Sequence, residues 1–219
     1  MSNGRREGRA FHILFVCTGN VCRSPFAEIL TRHLLAERLG EGGAAEFTVR
    51  SAGTLAVIGA GIDDLTRAEL APWGLDGAAA DGVVAHQLDA RAARSADLIL
   101  TAARRHRSLV VELAPTALPK TFCVREFARI LGGADTGELP NDPIERAEAM
   151  VRLAGRTRGL LSYASEESDA VIDPIGGPPA LHHRAAGQIT DAVVDLIELL
   201  APLDSKSTSP HSKITRSSD

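Results

Sequence analysis

Apolar residues fall along the chain in short runs that alternate with amphipathic stretches, in the rhythm of strand, loop and helix. Phe11 to Cys17 (Phe-His-Ile-Leu-Phe-Val-Cys) is almost unbroken apolar sequence of strand length, as a parallel strand covered on both faces reads. After a polar turn, Ser24-Pro25 supplies the cap and first-turn proline that start many helices, and Phe26, Ile29, Leu30, His33 and Leu34 mark one helical face. The pattern repeats. Phe47 to Val49 predicts a strand, Asp64 to Trp73 a helix, Asp97 to Thr101 a strand, Arg104 to Leu113 a helix, Thr121 to Val124 a strand and Arg125 to Leu131 a helix. Such alternation predicts an α/β domain: a four-stranded parallel sheet flanked by helices.

The frame runs over 11–203. A glycine-rich break at Gly132 to Gly137 opens an inserted segment near 132–168, with an amphipathic helix expected over Pro143 to Ala154. A long stripe (Leu181, Ile189, Val193, Leu196, Ile197, Leu200) predicts a final helix from Pro179 to Leu203 packed on the sheet. Residues 1–10 and the Ser- and Lys-rich 204–219 read as disordered tails.

Charge removes some classes of partner. The 24 basic and 28 acidic residues leave a net charge of −4, without the basic excess of a nucleic-acid binder, and no apolar run has the length of a membrane helix. Three cysteines do not make a disulfide framework, and the first nine residues lack a signal peptide's apolar core, so a cytoplasmic location is expected.

The chemistry concentrates in Cys17-Thr18-Gly19-Asn20-Val21-Cys22-Arg23-Ser24, a cysteine followed by five residues and an arginine, set between a buried strand and a helix start. A turn in that position curls so that its N–H groups converge at the positive end of the helix, which makes a nest for an anion. Gly19 allows close backbone approach, Asn20 tolerates a left-handed conformation, and Arg23 presents a planar fork to two phosphate oxygens. Thr18, Gly19, Asn20, Val21, Cys22, Arg23 and Ser24 are therefore the candidate phosphate-binding residues, and the expected occupant is a phosphate or sulfate ion. On the floor of this ring Cys17 has its thiolate favoured by donors and cation, and Ser24 is in reach to hydrogen-bond the sulfur. Cys22 shares the loop, which makes it a candidate redox partner for Cys17.

Phe15 to Pro25 resembles the signature of the low-molecular-weight protein tyrosine phosphatases, Ser51-Ala52-Gly53-Thr54 is similar to that family's second block, and Asp173-Pro174 resembles its aspartate-proline loop. The resemblance implies hydrolysis of phosphorylated protein, phosphotyrosine first, through a phosphocysteine on Cys17. Arg23 would stabilise the transferring group, Asp173 would be the general acid and Ser51 would support the loop. It implies no metal and no cofactor. Asp142-Pro143 offers the same dipeptide, but Asp142 opens the inserted helix. Several positions depart from the pattern. Val83 stands where many members carry a histidine that supports the loop asparagine, with His86 three residues later, and Leu55, Val57 and Ile175-Gly176 stand where aromatic walls are expected. Alternatives are a phosphoarginine phosphatase, an arsenate reductase using Cys22 and Cys123 as further thiols, and a phosphate-binding module without turnover.

Overall fold

The computed structural model describes residues 10–158 and 165–202. Of the expected tails, 1–9 and all of 204–219 lie outside the described residues, as does part of the inserted segment.

Four parallel strands form one sheet in the order β2-β1-β3-β4: β1 (Phe11–Cys17), β2 (Phe47–Gly53), β3 (Leu98–Thr101) and β4 (Thr121–Cys123). The helices in chain order are α1 (Arg23–Ala44), α2 (Asp64–Ala68), α3 (Ala78–Asp81), α4 (Ala90–Ser95), α5 (Arg104–Leu113), α6 (Val124–Gly132), α7 (Pro143–Thr157), α8 (Glu166–Asp169) and α9 (Pro179–Leu200).

Because successive strand residues point to opposite faces, β1 feeds two separate cores. Ile13, Phe15 and Cys17 join the larger one with α1, α6 and α9, whereas Leu14 and Val16 join a smaller one with Ala93 of α4 and Val110 of α5. Handedness explains the division. The chain moves one way from β1 to β2 and the other way from β2 to β3, so right-handed crossovers place α1 and α4 on opposite faces. That reversal makes the carboxyl end of β1 the switch point of the sheet, where open α/β folds bind ligands.

Several boundaries differ from the sequence reading. The helix expected over Asp64 to Trp73 is broken: α2 ends at Ala68, and a separate 3-10 turn, Ala71–Trp73, ends at Gly74, which has a left-handed φ of 67°. Pro72 lies inside that span and cannot donate the N–H that would continue α2. Val124 belongs to α6 and not to β4, and the last helix stops at Leu200. Within the segment set apart at 132–168, Ala147, Met150 and Ala154 of α7 are buried in the larger core.

Candidate active site

The residues after β1 form a loop whose carbonyls are turned outward. Thr54 N–H donates to the Cys17 carbonyl (2.9 Å), Leu55 N–H to that of Thr18 (2.9 Å), Val57 N–H to that of Gly19 (3.0 Å) and Asp63 N–H to that of Val21 (2.8 Å). In a trans peptide the N–H of the next residue points the opposite way. The N–H groups of Thr18, Gly19, Asn20 and Cys22 are therefore directed to the loop's other side, as a nest requires.

Asn20 holds this shape with a φ of 57°. Its side chain is 1% exposed and fully engaged: Nδ2 donates to Ser51 Oγ (2.8 Å) and Ser24 Oγ (2.9 Å), and Oδ1 accepts from the His86 backbone N–H (2.8 Å). Ser51 passes the contact on to Glu28, a buried carboxylate paired with Arg32. Val83, where a histidine is expected by resemblance, is a core residue. His86 supports Asn20 by its main chain, while its ring is exposed. Glu28 was not singled out in the sequence. Its spacing from Cys17 carries no motif, and only the pairing with Ser51 reveals it.

Ser24 is not a helix cap. The α1 helix begins one residue earlier, at Arg23, so the Ser24 hydroxyl is free to lie 3.0 Å from Cys17 Sγ. Gly53, beside Cys17 across the sheet, leaves room for the loop: a Cβ there would stand 2.5 Å from the Thr18 carbonyl oxygen. Backbone on both sides cannot yield cheaply. Gly53→Ala is expected to cost about 1–3 kcal/mol of stability, as overpacking does, and to lower turnover by displacing Thr18. Urea unfolding beside an activity assay measures both.

Asp173 reaches the same place from 150 residues away: Arg23 donates through Nη2 to its Oδ2 at 2.6 Å, and through Nη1 to the Val171 carbonyl at 3.3 Å. Arg105 adds a second bond to Asp173 Oδ2 at 3.2 Å. The turn that follows is closed by Gly177 N–H on the Pro174 carbonyl (2.9 Å), with Gly176 at a φ of 71°. A left-handed third residue is what a type II turn needs. Upstream, Asp169 is 1% exposed and paired with Arg104 (2.6 Å) and Arg129 (3.0 Å), which anchors the segment leading to Asp173 to α5 and α6. Asp142 has the other expected role, because its Oδ1 caps α7 through Ile144 N–H (3.1 Å) and Glu145 N–H (3.0 Å).

His106 is a site residue that the sequence did not disclose. It is 1% exposed, its Nε2 lies 2.9 Å from Thr18 Oγ1, and Nδ1 is buried with no hydrogen-bond partner among the described residues. Burial, helped by the charges of Arg23 and Arg105, pushes its pKa down from 6.5 to about 4. The folded protein keeps this ring neutral where the unfolded chain takes up a proton, so stability is complete above pH 6.5 and falls as the pH drops toward 4. The loss amounts to roughly 3 kcal/mol at most. His106→Gln should remove that part of the slope, and urea unfolding at pH 7 and pH 4.5 on both proteins checks it.

A family model for the low molecular weight phosphotyrosine protein phosphatases matches residues 12–152. The chain belongs to this family. Among its relatives, the Wzb phosphatase of Escherichia coli K12 is 38% identical over 104 residues, or 48% of this chain and 63% of that protein. AmsI of Erwinia amylovora, described as a probable low molecular weight protein-tyrosine-phosphatase, is 37% identical over 144 residues, or 66% of this chain and 92% of its own. Among solved structures, the YwlE arginine phosphatase of Geobacillus stearothermophilus superposes with a TM-score of 0.58 at 25% identity, covering 87% of this chain and 92% of that one. Membership accounts for the sheet order and for the loop after β1. No helix among the described residues is long and apolar enough to cross a membrane.

Proposed function

We propose that the protein hydrolyses phosphate monoesters on proteins, phosphotyrosine foremost, through a phosphocysteine on Cys17. The observation that carries this reading is the loop's outward carbonyls with Cys17, Arg23 and Asp173 gathered around it. The phosphoryl group enters the ring of N–H donors and takes the Arg23 fork in competition with Asp173. Cys17 sulfur attacks phosphorus in line, while Asp173 in its acid form protonates the departing oxygen. Water then cleaves the S–P bond with Asp173 as base, which restores thiolate and acid and releases inorganic phosphate. Donors and guanidinium stabilise charge on the equatorial oxygens, the dominant requirement in phosphoryl transfer. Nothing in this sequence of steps calls for a metal or cofactor, and the setting is cytoplasmic.

The walls favour keeping phosphoarginine as the second reading. Leu55, Val57 and Ile175 are 75%, 56% and 58% exposed, aliphatic side chains where aromatic ones are expected. Arsenate reduction fits less well, because it must carry oxidation outward through further thiols. Cys22 and Cys123 are 4% and 0% exposed, and burial pushes both thiols up to about 11. Buried and protonated, the Cys22 thiol is also a poor nucleophile toward an oxidised Cys17. Peptides carrying phosphotyrosine or phosphoarginine, assayed side by side with arsenate reduction, test the proposal: phosphotyrosine is expected to give the highest kcat/KM, and an inactive protein in all three assays would leave a phosphate-binding module.

A further inference from the structure

Cys22, Asp63 and His182 place one sulfur, one carboxylate oxygen and one ring nitrogen all within 4.8 Å of one another. They arrive from three elements: the loop before α1, the N-cap of α2 and the first turn of α9. His182 Nδ1 stands 3.3 Å from Asp63 Oδ1 and 2.9 Å from Thr66 Oγ1. Zinc with bonds of about 2.0–2.3 Å in tetrahedral array spaces its ligands about 3.3–3.8 Å apart. The histidine–aspartate edge already has that length. Cys22 and His182 are 4% and 2% exposed, whereas the Asp63 side chain is 28% exposed and leaves a way in. No side chain of the three takes part in the hydrolysis proposed above.

We propose that Cys22, Asp63 and His182 form a binding site for a divalent cation of the zinc class. A thiolate, an imidazole and a carboxylate suit a borderline-soft ion and disfavour magnesium or calcium, which take oxygen ligands. Binding exchanges a proton for the cation. The Cys22 thiol loses its hydrogen to the buffer and its sulfur lone pair binds the ion; His182 binds through Nδ1 with its hydrogen on Nε2, and Asp63 binds as the carboxylate. Uptake of one ion thus releases one proton. The Thr66 hydroxyl, now against Nδ1, borders the remaining position. Such an ion would tie the phosphate loop to α9, whose first turn follows the acid loop directly.

The test uses the full chain, stripped with chelator and then titrated with Co²⁺ and with Zn²⁺, as wild type and as Cys17→Ser, Cys22→Ser, Asp63→Asn and His182→Gln. Wild type and Cys17→Ser should each take one equivalent and show a thiolate-to-cobalt absorption band, and Zn²⁺ should raise the thermal midpoint of both. Cys22→Ser should lose the band. Asp63→Asn and His182→Gln should bind on the order of 100-fold more weakly, since even residues behind a metal's ligands are worth 10- to 100-fold. Asparagine caps a helix as aspartate does, so Asp63→Asn keeps the α2 cap and separates lost binding from lost folding. No uptake by wild type would overturn the proposal. So would a band that vanishes in Cys17→Ser yet survives in His182→Gln, which would put the cation on the nucleophile.

Discussion

Cys17→Ser is expected to lower hydrolysis of p-nitrophenyl phosphate by a factor on the order of 10⁴ or more, with chelator present throughout. The ionised group is the one that attacks phosphorus, and a thiol ionises far more readily than a serine hydroxyl does. The Ser24 hydroxyl at 3.0 Å assists a sulfur but cannot serve as the base that a serine would need. The substitution is nearly isosteric in a buried position, so circular dichroism and the unfolding midpoint should stay close to wild type. Full activity in the variant would remove the phosphocysteine from the mechanism.

Asp173→Asn should slow turnover by roughly 10² to 10⁴, the usual contribution of a general acid. The loss should be smaller for p-nitrophenyl phosphate, whose leaving group departs without much protonation, than for phosphotyrosine. Asp142→Asn is the matched control. Asp142 caps α7 through two backbone N–H groups, and asparagine caps as well as aspartate, so both rate and stability should hold. If Asp142→Asn slowed turnover and Asp173→Asn did not, the acid would be on the wrong proline dipeptide.

The strands and the loop were legible because their signals are local. A seven-residue run broken only by His12 announces β1, and the glycine, asparagine and arginine of the loop stand in fixed register after it. The left-handed Asn20 was foreseeable on steric grounds alone and is found at a φ of 57°. What escaped were long-range pairings. Glu28 meets Ser51, His106 meets Thr18, and Asp169 gathers Arg104 and Arg129, each a contact between elements far apart along the chain. Charged residues and a histidine on amphipathic helices read as solvated positions, and only the packed fold turns them inward. The broken α2 was missed for a different reason: periodicity continued through Pro72 although the hydrogen bonding could not.

The order of the strands has a consequence for a chain that emerges vectorially during synthesis. Synthesis proceeds at about 5–20 residues per second and lets amino-terminal parts form first, and here an interior strand, β1, precedes the other three. Cys17 leaves the ribosome with β1, yet β1 lies between β2 and β3, and β3 follows some eighty residues later. Asp173 lags Arg23 by 150 residues. A nascent chain thus carries the proposed nucleophile long before the proposed acid, and the site is completed late, when Asp173 meets Arg23 ahead of α9.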